Sequence, residues 1–408
     1  MRQFKNMFEY LFQDVQLIKR VNKIIADFFI IFWHATIKDL VFYILAFFFA
    51  LRYNTTMKEK NYYQERNLKN LEKIEYLKDE LPTFIEDYFI GIENQTSTLT
   101  RLNYAYDLRI FFYYLVQNCF QNKSIRDLTL QDLESVKSSD IERFLSYLSK
   151  YEFNGNVECC NERAKARKLS SIRAMFKYFF RNEKISVDNA AKVAMPKLHE
   201  KEIIRLEVNE VAELLNCAES GKGMTPQQRA YHEHTKIRDI AILTLFLGTG
   251  IRISELVGLN NGDIDFTANS FVVTRKGGNK TILYFSDEVA EALAQYMAFK
   301  EDNKDVPADE HALFLSLQMK RISVRAVENL VKKYSSIVTP LKKISPHKLR
   351  STYGTQLYRE TKDIYVVADV LGHKDVNTTK KHYAAISEDA RRSVADKVQL
   401  RENNNHNK

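Results

Sequence analysis

Pro346-His347-Lys348-Leu349-Arg350 is the stretch from which the chain is best read. Proline at the first position of a helix has its φ already set, so a helix begins at about Pro346. His347 and Arg350 are three apart and share a face of it. The first turn leaves main-chain N–H groups unbonded, and these favour an anion. Upstream stands Thr249-Gly250-Ile251-Arg252-Ile253-Ser254-Glu255-Leu256, where the glycines allow a bend between two helices. Downstream come Leu371-Gly372-His373, a helix end marked by glycine, and then His382-Tyr383.

These residue types suit metal-free chemistry on a phosphodiester. A guanidinium is the bidentate partner of non-bridging phosphate oxygens. Imidazole, with a pKa near ~6.5, moves protons at neutral pH. A phenol, with a pKa near ~10, attacks once its proton is taken. The blander readings pair Arg252 with Glu255 and make Tyr383 one of 22 ordinary tyrosines. The first is compatible with function, because an acidic neighbour orients an arginine.

Outward from these segments, Asp263 to Phe285 is the clear β region. Ser270–Arg275 and Thr281–Phe285 read as strands joined by Lys276-Gly277-Gly278-Asn279-Lys280. Helices are expected at about 207–218 and 237–248, with a polar stretch at 220–228 between them. Residues 58–195 read as helical. Thr98 to Phe120 repeats apolar residues at helical spacing, with Leu102, Tyr106, Ile110, Tyr113 and Tyr114 as the stripe. Ser139 is a candidate cap for a helix over 140–150. Another helix, 161–182, buries Leu169, Ile172, Met175, Phe176 and Phe179. Its remaining surface carries Arg163, Lys165, Arg167, Lys168, Arg173 and Lys177. Charged helix faces are usually just solvated, but charge of one sign favours phosphate contact.

The chain has 408 residues, 28% charged and 45% hydrophobic, enough for two or three domains with proper cores. Glycine (12) and proline (6) are scarce, which argues against long disordered linkers. The formal charge of +9 permits a polyanion partner without demanding one. Cys119, Cys159, Cys160 and Cys217 form no C-x-x-C pair and read as reduced thiols of a cytoplasmic protein. His232 and His234 have no further ligand nearby and read as surface residues rather than a metal site. No metal and no cofactor is expected.

Residues 24–51 are about long enough to cross a bilayer, but Asp27, His34, Lys38 and Asp39 interrupt them. They lack the pattern of a signal peptide. Three readings stand: a membrane anchor, amphipathic helices packed on a partner, or upstream sequence before a start at Met57. The last is favoured, because Met57 opens an ordinary polar helix. The expected organisation is a hydrophobic extension over 1–56, a helical domain over 57–195, a linker over 196–202, a second domain over 203–400 and a polar tail over 401–408.

The order and wording of these segments resemble the tyrosine recombinase (phage integrase) family, and within it the Xer-type site-specific recombinases. The likeness covers roughly residues 80–395. It implies a mainly α fold: a helical, SAM-like core-binding domain that binds DNA, and a mixed α/β catalytic domain with a small β-hairpin sheet. Arg252, His347, Arg350 and His373 fall on the family's catalytic positions, and Tyr383 on its nucleophile. A hairpin lysine serves the family as general acid; Lys276 is preferred here over Lys280. The implied chemistry cuts and rejoins DNA through a 3′-phosphotyrosyl link without ATP. The implied partners are a duplex site with inverted-repeat arms, three further copies of the chain forming a tetramer on two duplexes, and a DNA translocase. The implied role is resolution of chromosome dimers, with integration or excision of a mobile element as the alternative. The polar insert near 220–235 and the Arg275–Asn279 hairpin look most like the single-recombinase Xer subgroup of low-GC bacteria. Ser351 stands where a histidine is common in the family, and the gap from His373 to Tyr383 is one residue longer than usual.

Overall fold

The computed structural model describes residues 62–198, 204–275, 278–307 and 310–373, together with Asp375, Val376 and Thr379. The hydrophobic stretch 24–51, Lys276 and Tyr383 lie outside the described residues. The chain divides into two compact units, residues 1–75 and 76–408; the described part of the first is most of helix α1 (Tyr62–Lys78). Among the described residues, no helix is long and apolar enough to cross a membrane.

The second unit opens with a helical bundle: α2 (Ile85–Gly91), α3 (Thr98–Asn118), α4 (Leu130–Ser135), α5 (Ser138–Tyr147) and α6 (Glu162–Arg181). α6 starts as its sequence predicts, with the Asn161 side chain accepting the Ala164 N–H at 3.0 Å. All five of its expected apolar residues are buried, and it packs on α2 and α3. Phe84 meets Phe112 and Phe179 edge to face, at 5.9 and 5.5 Å between centroids.

The stripe of α3 runs one step away from the expected one. Leu102 and Tyr114 are buried, but Tyr106 is exposed. The core instead takes Ala105, Leu108, Phe111, Phe112 and Leu115. The two stripes overlap, and the one carrying adjacent phenylalanines buries more apolar area. α5 begins two residues earlier than expected. Its cap is the Asp140 carboxylate accepting the Lys137 N–H at 3.0 Å, not Ser139.

A second correction lies at Tyr151–Phe153 (β1) and Asn156–Glu158 (β2), read from sequence as helical and found as an antiparallel hairpin. Asn154 and Gly155 take φ of 51° and 74°, the signature of an Asn-Gly hairpin turn. The signal was present in the letters; the helical patterns on either side overrode it.

The rest of the unit is built on α7 (Val208–Ser220) and the long α8 (Pro226–Thr249). α8 begins eleven residues before the expected 237, because Thr225 accepts the Gln228 N–H and Pro226 fills the first position. Its later half, Ala241 to Phe246, is wholly apolar but for Thr244 and is almost completely buried. α9 (Ile253–Gly258) follows; then come strands β3 (Ile264–Asp265), β4 (Ser270–Thr274) and β5 (Lys280–Tyr284), an antiparallel sheet in that order. The expected hairpin is there, with Thr274 opposite Lys280, and β3 adds a third strand. α10 (Asp287–Glu301), α11 (Val324–Val338), α12 (Pro346–Thr361) and α13 (Ile364–Leu371) complete the described fold. α10 and α12 pack on α8.

His232 departs from its surface reading. It is 1% exposed, with Nδ1 3.2 Å from the Tyr334 hydroxyl. That hydroxyl donates to Asp239 at 2.9 Å, and Lys333 donates to the same carboxylate at 2.8 Å. The network lies between α8 and α11, where the expected polar stretch would have left it in water. His234 is exposed as read. Among the described residues no cluster of histidine, cysteine or carboxylate side chains could hold a metal ion.

Candidate active site

The C-terminal turn of α13 organises the site. Gly372 adopts φ of 60° and ends the helix, so that the His373 N–H returns to Ala368 O at 2.9 Å and the Gly372 N–H to Asp369 O at 2.8 Å. A helix end leaves carbonyls without partners and carries partial negative charge. Here three guanidiniums from three different elements take them. Arg275, at the tip of the β4–β5 hairpin, donates to Val370 O at 3.0 Å and to Asp369 O at 3.4 Å. Arg350 of α12 donates to Leu371 O and, from its other Nη, to Gly250 O. Arg252, just before α9, donates to Gly372 O at 2.8 Å. Every carbonyl from Ala368 to Gly372 is therefore bonded.

Three like charges in one place need compensation. The helix end supplies part of it and Glu255 the rest. Glu255 is 3% exposed, and its carboxylate takes Arg252 Nη1 at 2.8 Å and the Arg252 N–H at 3.0 Å. Arg350 is buried, whereas the Arg252 side chain keeps about a third of its surface open. The Arg275 guanidinium is held below its ordinary pKa, chiefly by burial; Glu255 opposes this and Arg252 adds to it.

The loop that carries Arg252 comes close because Gly250 has no side chain. It sits at φ 62°, and a Cβ there would lie 2.4 Å from the Tyr353 ring and 3.0 Å from Leu371. Only glycine takes this backbone shape without strain while passing so near α12 and α13.

The structure thus brings Arg252, Arg350 and His373 to one turn. The His373 ring is fixed by Nδ1, 2.7 Å from the hydroxyl of Thr379, which is fully buried. His347 is exposed on the first turn of α12, three residues before Arg350 and behind Pro346 at the first helical position. Lys280 opens β5 opposite Thr274 and is exposed. Sequence reasoning points to Lys276 and misses its neighbour Arg275. Nothing in its spacing marks it, since its partners are main-chain carbonyls nearly a hundred residues away.

The basic face of α6 divides. Lys168 is buried, and with Arg167 and Ser171 it converges on the buried Asp107, at 3.2, 2.6 and 2.8 Å. Arg173 donates to Ala190 O and Val193 O and ties down the segment after the helix. Lys165 reaches Ser149 Oγ at 2.8 Å. Arg163, Arg167 and Lys177 are the exposed members.

A two-strand hairpin and a guanidinium cluster beside a late histidine define a class of phosphoryl-transfer enzyme, and comparison with known proteins names it. Residues 205–389 match the phage integrase family and residues 85–183 its N-terminal SAM-like domain. The chain belongs to this family, the tyrosine recombinases. It is 32% identical over 330 residues to tyrosine recombinase XerC of Caldanaerobacter subterraneus, covering 78% of this chain and 86% of that one. Tyrosine recombinase XerS of Streptococcus agalactiae is 28% identical over 354 residues, covering 80% and 98%. The fold matches XerH, solved as a post-cleavage complex with its palindromic difH substrate, at a TM-score of 0.57 and 16% identity, over 74% of this chain and 80% of that one.

Proposed function

We propose that the chain cuts and rejoins duplex DNA at a specific site, with Tyr383 as nucleophile and Arg252, Lys276, His347, Arg350 and His373 as its catalytic set. The observation that carries the reading is the meeting of Arg252, Arg350 and His373 at one helix end, with guanidinium charge gathered where a phosphate can replace carbonyl oxygen as acceptor. The Tyr383 oxygen attacks phosphorus as its proton leaves to a base. The bond from phosphorus to the 5′-oxygen breaks, and that oxygen takes a proton from Lys276. A 3′-phosphotyrosyl link and a 5′-hydroxyl result. Attack by a 5′-hydroxyl of the partner strand runs the same steps backward and frees the tyrosine. One phosphoester replaces another each time, so the reaction needs no ATP, and fixed cations take the part a metal would play.

In this reading residues 57–195 form the core-binding domain and 203–400 the catalytic domain, joined by 196–202. Arg163, Arg167 and Lys177 give the N-terminal bundle its open phosphate contacts. Four copies on two duplexes perform exchange between inverted-repeat sites. The Xer likeness favours resolution of chromosome dimers in the cytoplasm, with a DNA translocase as further partner.

The test uses a nicked suicide duplex, in which the released strand diffuses away and the covalent adduct accumulates. The wild type gives an adduct resistant to denaturant; Tyr383→Phe gives none and still shifts the duplex in a gel. Adducts that survive this change overturn the assignment. A deletion strain separates the roles. Chained, undivided chromosomes follow from lost dimer resolution, and a retained mobile element with normal division follows from the alternative.

A further inference from the structure

Arg275 forms a closer union with the end of α13 than a salt bridge would. Its two Nη groups hold Asp369 O and Val370 O, and the guanidinium lies close against Gly372. A Cβ on Gly372 would fall 1.6 Å from Arg275 Nη1 and 2.4 Å from Cζ. Glycine serves twice here: it takes the φ of 60° and it leaves the space that the guanidinium fills, so a side chain at this position would displace the arginine. The main chain of Arg275 is bonded on both sides: its N–H to Asn279 O at 2.8 Å and its carbonyl from the Gly278 N–H at 3.0 Å. Its buried Nε–H has no acceptor among the described residues, so the side chain is placed there at a cost. The next residue after Gly372 is His373.

We propose that Arg275 is a positioning residue for His373. It clasps the glycine turn that presents the imidazole, and so couples the β4–β5 hairpin to the histidine that follows the helix end. The proposal rests on the recombinase chemistry argued above. It gives Arg275 no contact with the phosphate: both of its Nη groups are engaged with carbonyls and its Nε is buried, while Arg252 keeps an open face and Arg350 holds Leu371 O and Gly250 O. Beside the arginine clasp the turn is held by Arg350 on Leu371 O, by Arg252 on Gly372 O and by the bond from His373 Nδ1 to Thr379, but of these arginines Arg275 alone ties it to the β4–β5 hairpin. Loss of the clasp leaves the fold intact and lets the ring drift. A displacement of about 1 Å at a reacting group costs roughly a hundredfold in rate.

A double-mutant cycle read by single-turnover adduct formation on the suicide duplex tests this. The four proteins are the full chain as wild type, Arg275→Ala, His373→Gln and the double variant. Arg275→Ala is expected to slow adduct formation by about thirty- to a hundredfold and to flatten the acidic limb of the pH–rate profile. In the His373→Gln background the same change is expected to cost less than about threefold. Multiplying losses overturn the proposal and mean that Arg275 acts on the phosphate or through the hairpin lysine. An unchanged pH profile in Arg275→Ala overturns it as well. Should Arg275→Ala lose its cooperative thermal transition, Arg275→Lys takes its place in the cycle, because it keeps the charge and one donor but not the fork. A wild type that forms no adduct refutes the recombinase chemistry itself, a result distinct from a reactive wild type with an additive cycle.

Discussion

Glu255 holds Arg252 at both ends. One carboxylate oxygen takes the arginine's main-chain N–H at 3.0 Å and the other its Nη1 at 2.8 Å, in a site where the carboxylate is 3% exposed. Arg252 Nη2 is then aimed at Gly372 O, 2.8 Å away. The acid thus does two jobs: it starts α9 and it sets the guanidinium. Glu255→Gln keeps the shape but loses the charge that offsets three arginines. Adduct formation should fall by at least about tenfold, near 1.4 kcal/mol of barrier. Binding of the duplex, followed by gel shift, should stay the same or tighten.

The α6 face separates stability from binding. Asp107 is fully buried and carries Lys168, Arg167 and Ser171. Asp107→Ala leaves a buried ammonium without a partner, and a cost of about 3–5 kcal/mol is expected in urea unfolding. Lys177→Ala and Arg163→Ala alter exposed groups and should leave the unfolding midpoint in place. If those side chains meet phosphates, each removal should lower the slope of log affinity against log salt by about 0.9. Lys168→Ala should do the reverse: it loses stability and keeps the slope.

Much of this was legible in the letters, and the reasons differ from place to place. Pro346 and Gly372 are punctuation with a mechanism, so the start of α12 and the end of α13 fell where expected. The stripe of α6 is unambiguous, because charged residues predominate outside it. α3 offers two overlapping stripes, and only tertiary packing chose between them. His232 looked exposed because its sequence neighbours are polar; its burial depends on Tyr334, a hundred residues away. Arg275 was hidden for a similar reason. Its partners are main-chain carbonyls, which no letter records.

Gly372→Ala should be costly in two ways. The left-handed backbone costs a non-glycine residue about 1–2 kcal/mol. The added methyl also expels the Arg275 guanidinium from its seat. The melting transition should drop by a few degrees, while adduct formation falls far more than the stability loss accounts for. Gly155, also at positive φ but with open space around it, is the control. Gly155→Ala should lower stability by a similar amount and leave adduct formation on the wild-type rate.

His232 gives the fold a pH dependence. Burial holds its pKa below the ordinary 6.5, with the Lys333 charge adding to the effect and Asp239 opposing it. Above pH 6.5 the ring is neutral in both folded and unfolded chains, and stability is fully present. As pH falls below that value the unfolded chain takes up a proton that the folded chain refuses, so stability declines until the folded pKa is passed. His232→Asn removes this titration at the price of an imperfect fit beside Tyr334 and Gly221. The variant should be less stable than wild type at pH 8, and the gap should narrow on acidification from pH 6.5 downward. Urea midpoints measured at half-unit intervals of pH decide it. A gap that stays constant or widens toward acid means that His232 carries its proton in the folded state.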